Sequence, residues 1–217
     1  MKTPIVIAID GPSKSGKGTC AIELAKSYGF FHVDTGGMYR LLTWYCLKKK
    51  IDVDDQAAVI AACNSWSAEL AAKDHEIVLA VDGEFPIKAI RSHEVTDSVA
   101  KVSPIPAVRI WMIRKQRECL LFGDLVMDGR DIGTVVFPET PFKFFLTADE
   151  ELREARSRGK GELANMKERD KRDTNRKSSP LVAAQGAVII DNTHDRPEAT
   201  IAFMQAHIDY KRQLLRL

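Results

Sequence analysis

The sequence has little cysteine and no long apolar run. Its four cysteines, at positions 20, 46, 63 and 119, lie far apart and form no Cys-x-x-Cys pair, which argues against a zinc site or a disulfide framework. The apolar run near the amino terminus is interrupted by Asp10 and is too short for a signal peptide or a membrane span. We therefore expect reduced thiols in a cytoplasmic protein that does not contact a membrane.

An excess of charge of one sign is also missing. The chain has 32 basic and 30 acidic residues, a net charge of +2, which is unlike the sustained basic excess of a dedicated nucleic-acid binder. It has no internal repeat and no low-complexity linker. A chain of 217 residues is long enough for one sizeable core. We expect one catalytic unit, a monomer, that acts on small molecules and binds no nucleic acid.

Short apolar runs alternate with amphipathic stretches, a pattern typical of an α/β fold with a parallel sheet flanked by helices. The predicted strands are Ile5–Ile9, Phe30–Val33, Leu125–Met127, Phe142–Leu146 and Val188–Ile190. The predicted helices are Lys17–Tyr28, Met38–Lys49, Ala107–Leu121 and Pro197–Leu215.

Two segments interrupt the alternation. Ser67–Ile90 predicts a small antiparallel insert, in which the strand Ile77–Val81 turns at Asp82-Gly83 into a second strand, Phe85–Ile90. Asp149–Lys177 is rich in charge of both signs, and Gly159-Lys160-Gly161 breaks it. Because it has few apolar residues, we expect it to lie over the surface as a mobile cover.

The most informative motif follows the first strand, and it is Gly11-Pro12-Ser13-Lys14-Ser15-Gly16-Lys17-Gly18-Thr19. Its Gly-x-x-x-x-Gly-Lys spacing between a buried strand and a helix predicts a loop that binds the phosphates of a nucleoside polyphosphate. Lys17, which we expect to be exposed, adds a mobile charge for the outer phosphates. Gly18 stands where many such loops carry a magnesium-binding hydroxyl, so Thr19 or waters would replace it.

Other polar groups follow the third and second predicted strands. Asp128-Gly129-Arg130-Asp131 comes directly after Leu125–Met127, at the end of a strand where open parallel sheets bind ligands. Asp128 could hold magnesium through water, Arg130 could grip an acceptor phosphate and Asp131 could accept hydrogen bonds from an acceptor base. After the second strand, Thr35 supplies a hydroxyl group, and Arg40 supplies a guanidinium group whose geometry suits a phosphate.

A charged helix through Lys167–Arg176 would place four of its residues on one face, because offsets of three, four and seven return to the same side. These residues are Arg169, Arg172, Asp173 and Arg176. Charge-rich helices are usually only solvated. The phosphate loop elsewhere in the chain favours arginines that close over an anionic ligand, since phosphoryl transfer requires positive charge around the moving group.

Together these segments resemble the bacterial cytidylate kinases, a family of nucleoside monophosphate kinases with a phosphate loop. The resemblance runs nearly end to end. It rests on the phosphate loop, on Asp34-Thr35-Gly36 with Met38-Tyr39-Arg40, on Pro106–Arg109, on Asp128–Pro138, and on Lys167–Asp170 with Arg172-Asp173 and Asn175-Arg176. It implies the reaction ATP + (d)CMP → ADP + (d)CDP with Mg2+ accompanying ATP. It also implies a core (1–63, 91–148 and 178–217), a monophosphate-binding insert (about 64–90) and a helical lid (about 149–177).

The resemblance also implies roles for single residues. Arg109 and Asp131 would recognise cytosine, with Thr35 near the nucleoside. Arg40, Arg130 and Arg176 would hold the acceptor phosphate, with Arg169 and Asp173 at the sugar and phosphate. Lys17, Arg130, Arg169 and Arg176 form the expected catalytic set. Arg156, with the phosphate loop, would reach ATP.

The chain departs from the family pattern at two places. Ala100 stands where relatives usually have a serine that contacts cytosine, so Ser98 or Ser103 would have to compensate, and the segment from Leu152 to Met166 is shorter than in many relatives. Two other functions remain open at this point. One is a phosphate-loop kinase for another small molecule, such as uridylate or shikimate. The other is a nucleotide-dependent switch or binding module, although the chain lacks a guanine-reading Asn-Lys-x-Asp motif.

Overall fold

The computed structural model describes residues 4–158, 166–176, 178–194 and 196–216. The strands are β1 (Val6–Asp10), β2 (Phe31–Asp34), β3 (Ala68–Lys73), β4 (Glu76–Val81), β5 (Leu125–Gly129), β6 (Phe142–Thr147) and β7 (Val188–Asp191). The helices are α1 (Lys17–Tyr28), α2 (Thr35–Lys48), α3 (Gln56–Ser65), α4 (His93–Val102), α5 (Pro106–Glu118), α6 (Glu150–Arg158), α7 (Met166–Thr174) and α8 (Pro197–Leu215).

The strands form one seven-stranded sheet in the order β3-β4-β2-β5-β1-β6-β7. All pairings are parallel except that of β3 with β4. In the register of the central strands, Asp10 of β1 lies opposite Gly129 of β5, and Asp34 of β2 lies opposite Asp128. The predicted α/β fold is confirmed, and the carboxyl ends of these three strands meet at one edge of the sheet.

The core lies on both faces of the sheet, which explains why β1 reads as a continuous apolar run. Val6 and Ala8 point to one face, where they join a cluster with α2 and α5. Ile7 and Ile9 point to the other face, toward α1 and α8. All four residues are buried, so β1 is held from both sides and carries the phosphate loop on a rigid support.

The antiparallel part of the sheet differs from the sequence prediction. Its hairpin turn lies at Asp74-His75, between β3 and β4, where both residues have positive φ (47° and 63°). The predicted second strand Phe85–Ile90 is wrong, because this stretch contains turns and ends in a 3-10 helix at Ala89–Arg91. Pro86 cannot donate to a strand ladder, and Ile90 is instead fully buried. β4 also pairs with β2, so the hairpin extends the main sheet.

Several helix boundaries also shift. α2 begins at Thr35, three residues before the predicted start, because the Asp34 side chain caps it by accepting a hydrogen bond from the Gly37 N–H at 3.0 Å. α7 ends at Thr174, so Arg176 lies beyond it and the prediction of one helix through Arg176 is wrong.

Two predicted features fall on residues that the structure does not describe. They are the break at Gly159-Lys160-Gly161 and the end of the predicted lid at Lys177. Within the described ranges, none of the helices is both long enough and apolar enough to cross a membrane.

Candidate active site

The phosphate loop requires glycine at two positions. Gly11 has φ 148°, and a Cβ there would stand 2.1 Å from the Leu146 carbonyl oxygen. Gly16 has φ 103°, and its Cβ would stand 2.3 Å from Asn192 Nδ2. That amide donates a hydrogen bond to the Ser15 carbonyl at 2.8 Å. The loop is therefore packed against the ends of β6 and β7, and a side chain at either glycine would displace it.

Lys17 is buried rather than exposed, with 5% of its surface accessible. Its Nζ donates a hydrogen bond to the Pro12 carbonyl of the same loop at 2.6 Å. Burial, and then the neighbouring Arg130 guanidinium, lower the pKa of Lys17 to about 7. The expectation of an exposed lysine is wrong because the loop folds back over its own side chain.

A buried carboxylate joins this loop to the Asp128–Asp131 segment. Asp10, 3% exposed, accepts hydrogen bonds from the backbone N–H groups of Ile132 and Gly133, both at 2.8 Å. Burial raises the pKa of Asp10 to about 6, although both backbone hydrogen bonds lower it. These contacts hold the start of a single π-helical turn, Ile132–Val136, beside β1.

All eight residues predicted for the acceptor site line one cavity of about 110 Å³. Its lining includes six arginines and two carboxylates, so positive charge dominates and favours an anionic ligand. The predicted residues are Thr35, Arg40, Arg109, Arg130, Asp131, Arg169, Asp173 and Arg176. We call this the acceptor cavity.

At one end of the acceptor cavity, Arg109 and Asp131 form a buried ion pair, with 2.5 Å between Arg109 NH2 and Asp131 Oδ2. Arg109 also donates to the Ser103 carbonyl at 3.2 Å, and its guanidinium lies 5.6 Å from the Tyr39 ring centroid. Its Nε has no hydrogen-bond partner among the described residues. This end therefore offers a donor and a carboxylate side by side.

Ala100 stands where relatives usually have a serine, and a nearby serine could supply the missing hydroxyl group. Ala100 and Ser103 both line the acceptor cavity, whereas Ser98 does not. Of the two serines considered from the sequence, the structure favours Ser103.

Thr35 and Arg40 approach the acceptor cavity from α2. The Thr35 hydroxyl donates to the Asp128 carbonyl at 2.8 Å. Arg40 donates to the Thr96 hydroxyl at 2.8 Å and to the Ile90 carbonyl at 3.3 Å. The contacts from Arg40 connect the wall of the cavity to α4 and to the segment that follows the β3–β4 hairpin.

Arg130 connects the acceptor cavity to the phosphate loop. Its Nε donates to Asp173 Oδ2 at 2.9 Å, and its NH2 donates to the Ser13 hydroxyl at 2.9 Å. Arg176 pairs with the other oxygen of Asp173 although it lies outside α7. Burial, followed by the nearby Arg109 and Arg130, lowers the pKa of Arg176 to about 10. Arg176 is therefore still a cation at neutral pH.

The segment predicted as a lid contacts the backbone of the phosphate loop. Asp170 of α7 accepts a hydrogen bond from the Ser13 N–H at 2.9 Å and also pairs with Arg153. Arg153 donates to the Ser13 carbonyl at 3.1 Å. Arg156 donates to the carbonyls of Lys14 and Asn192, both at 3.2 Å. The sequence motifs assigned no role to Asp170 and did not include Arg153, because their partners in the phosphate loop lie 157 and 140 residues away.

A second cavity, of about 630 Å³, is lined by the phosphate loop and by residues of β2, β4 and the segment 85–91, and we call it the donor cavity. Its lining includes Lys14, Gly16, Lys17, Gly18, Thr19 and Arg156 of the predicted ATP site, together with Asp128, His32 and Asn192. Both candidate metal-binding residues, the exposed Thr19 and Asp128, thus face one space.

This donor set suits magnesium bound with a nucleotide rather than by the protein alone. Among the residues that the structure describes, no group of three or more His, Cys, Asp or Glu side chains could hold a metal. Mg2+ typically keeps several waters and uses one or two carboxylates together with substrate phosphates. One carboxylate and one hydroxyl beside a phosphate loop fit that requirement.

Comparison with known proteins identifies one family. Residues 7–208 match the family model described as cytidylate kinase. The cytidylate kinase of Pasteurella multocida (strain Pm70) is 37% identical over 226 residues, covering 97% of this chain and 100% of that protein. The cytidylate kinase of Caldanaerobacter subterraneus subsp. tengcongensis is 42% identical over 200 residues, covering 87% of this chain and 88% of that protein.

The raised pKa of Asp10 predicts how pH affects stability. Between the unfolded pKa of 3.8 and the folded value of about 6, the folded state binds a proton that the unfolded state has lost. The contribution of Asp10 to the free energy of unfolding therefore decreases as pH rises through this window, by at most about 1.4 kcal/mol per pH unit. Urea unfolding of the unmodified protein and Asp10→Asn between pH 4 and 6.5 measures this difference.

The exposed loop variant Asp74→Asn is the control, and its stability should follow that of the unmodified protein over the same range. Parallel stability curves for the unmodified protein and Asp10→Asn would contradict the assignment.

Proposed function

The chain belongs to the cytidylate kinase family, and we propose that it transfers the γ-phosphate of ATP to CMP or dCMP, giving ADP and CDP or dCDP. One observation carries the proposal. The acceptor cavity and the phosphate loop adjoin, and the Arg130 side chain contacts both, through Asp173 and Ser13. A group held in one cavity can therefore be transferred to an acceptor in the other.

On the donor side, the phosphate loop would bind ATP. The loop N–H groups and the start of α1 favour the negative phosphates, and Lys17 would release Pro12 and turn its charge toward the transferred phosphoryl group. Arg156, already beside Lys14, would add positive charge. Asp128 and Thr19 would hold Mg2+ through water, and the ion would offset negative charge on the phosphates.

On the acceptor side, recognition would begin at the base. Cytosine has an amino donor at position four beside two ring acceptors. The Asp131 oxygen that Arg109 does not engage can accept from that amino group, and the Arg109 guanidinium would donate to a ring acceptor. Uracil has a carbonyl at position four, which the Asp131 carboxylate would repel. This pair therefore favours CMP over UMP and leaves the uridylate and shikimate alternatives without support.

The arginines would hold the acceptor phosphate and neutralise charge during transfer. Arg40, Arg130 and Arg176 line the acceptor cavity and would hold the phosphate, and Arg169 and Asp173, which also line it, would lie at the sugar and phosphate. Phosphoryl transfer asks little covalent chemistry of a protein and depends on positioning and on positive charge. A nucleotide switch has no need for such a second cationic cavity, so the arrangement favours transfer.

We also propose that the chain divides into a core, an insert at about 64–90 and a lid at about 149–177. Small-molecule sites usually have volumes of about 300–1,000 Å³, whereas the acceptor cavity has about 110 Å³. CMP entry therefore requires the cavity to widen, and α7 carries two of its arginines, Arg169 and Arg172. Movement of this segment would admit CMP and then enclose the reacting phosphates.

The protein would work as a cytoplasmic monomer. This one chain supplies the phosphate loop and all eight residues predicted for the acceptor site, which supports a monomer. The four cysteines are buried free thiols, which agrees with a reducing compartment.

An ADP-release assay across CMP, dCMP, UMP and shikimate tests the function. We expect kcat/KM for CMP and dCMP well above that for UMP, and no use of shikimate. Asp131→Ala should reduce the difference in kcat/KM between CMP and UMP, mainly by lowering the value for CMP. Asp131→Asn keeps a partner for the buried Arg109 and offers an amide donor to uracil, so it should raise UMP use relative to CMP. Equal use of UMP and CMP by the unmodified protein would contradict the base-recognition model.

Replacement of the loop lysine should separate catalysis from folding. Lys17→Met removes the charge that stabilises the transferred phosphoryl group, and such losses typically cost on the order of 10²–10³ in rate. The apolar part of the buried side chain is retained, so thermal melting should change little. A folded Lys17→Met protein with near-normal turnover would exclude this role.

The lowered pKa of Lys17 also predicts proton uptake when ATP binds. With a pKa of about 7, much of the lysine is neutral at pH 8. Phosphates favour the charged form and raise its pKa, so binding takes up a proton and ATP affinity falls as pH rises above 7. Calorimetric titration at pH 8 in HEPES and in Tris should reveal the uptake. Lys17→Met should lack it, and equal uptake by that variant would assign the proton to another group.

A further inference from the structure

His32 is a buried polar residue in the middle of β2, where the sequence pattern indicates only a strand. It is 5% exposed and pairs in the sheet with Val126 of β5 and Glu76 of β4. Its Nε2 lies 2.8 Å from Asp128 Oδ1, and its Nδ1 lies 3.6 Å from Glu76 Oε1. Since an ionised carboxylate can only accept, Nε2 carries the hydrogen of the shorter contact.

This contact fixes one oxygen of Asp128 and leaves the other toward the phosphate loop. A Cβ placed on Gly18 would lie 4.0 Å from Asp128 Oδ2. His32, Asp128, Gly18 and the exposed Thr19 all line the donor cavity. The histidine therefore holds one side of the carboxylate while the opposite side faces the position where many phosphate loops carry a hydroxyl.

We propose that His32 is a positioning residue that orients the Asp128 carboxylate for the magnesium ion of the bound nucleotide. Without this hydrogen bond, Asp128 could rotate and would have to be ordered each time a metal–nucleotide complex binds. The missing side chain at Gly18 makes that orientation important, because the loop offers no hydroxyl of its own at this position. The proposal deepens the proposed function and rests on it for the nucleotide, but it does not depend on the identity of the acceptor.

A purely structural role makes a different prediction. If His32 only filled a buried place in the sheet, its replacement would weaken binding of all ligands alike, through general loss of stability. If it positions Asp128, its replacement should weaken the effect of the metal and leave metal-free nucleotide binding and CMP binding unchanged.

Two amide variants of different length provide the central comparison. His32→Gln places a donor nitrogen near the position of Nε2, within reach of Asp128, whereas the shorter side chain of His32→Asn does not reach it. His32→Leu removes all hydrogen bonding. His207→Leu is the matched control, because His207 is half-buried on α8 beside Phe144 and lines neither cavity.

The measurement is the affinity for ADP with Mg2+ divided by the affinity for ADP with EDTA, determined by calorimetry. Loss of an outer partner of a metal site typically costs 10–100-fold. We expect this ratio to fall about 10-fold in His32→Asn and His32→Leu and to remain close to the unmodified value in His32→Gln and His207→Leu. CMP affinity should not change in any of them. If His32→Leu does not fold, the comparison of His32→Asn with His32→Gln still tests the proposal.

An unchanged ratio of ADP affinities in His32→Asn would overturn the proposal. Equal losses of affinity for ADP with metal, ADP without metal and CMP would overturn it as well. Failure of the unmodified protein to phosphorylate CMP would overturn the proposed function instead. The ADP ratio can be measured whichever acceptor the protein uses, so the two failures are distinguishable.

Discussion

The arrangement of the site depends on a single buried carboxylate at the end of β1. Asp10 is almost completely buried, and its two oxygens accept hydrogen bonds from the N–H groups of Ile132 and Gly133. Through these two contacts, the strand that carries the phosphate loop also holds the segment that carries Arg130 and Asp131. Burial of the charge costs stability, as the raised pKa of Asp10 indicates. In return, the phosphate loop and the segment that carries Arg130 and Asp131 are held beside each other.

The charges around this carboxylate are arranged in small groups of opposite sign. Arg109 is paired with Asp131, and Arg130 and Arg176 share Asp173. Each buried cation therefore has a partner before a phosphate arrives, which limits the cost of keeping several arginines close together. Lys17 is the exception, since it has a backbone carbonyl as its partner and a lowered pKa. Its charge is thus stabilised fully only by a ligand.

The sequence predicts the fold, and which residues come together around the two cavities, far better than it predicts the contacts among those residues. The phosphate loop and the Asp128–Asp131 segment could be recognised because each combines a local motif with a strand end. The contacts of Asp170 with Ser13 and of His32 with Asp128 join residues 157 and 96 positions apart, and no periodic pattern encodes them. The strand predicted at Phe85–Ile90 failed because alternating apolar residues near Pro86 pack as a turn. The burial of Lys17 could not be predicted because it depends on how its own loop folds back.

The side chain of Arg130 has a thermodynamic consequence. It contacts Ser13 in the phosphate loop and Asp173 in the acceptor cavity, so a ligand that displaces either contact changes the interactions available to the other. By reciprocity, the factor by which ATP changes the affinity for CMP must equal the factor by which CMP changes the affinity for ATP. A substitution at Arg130 would therefore change the effect of ATP on the affinity for CMP and the effect of CMP on the affinity for ATP by the same factor.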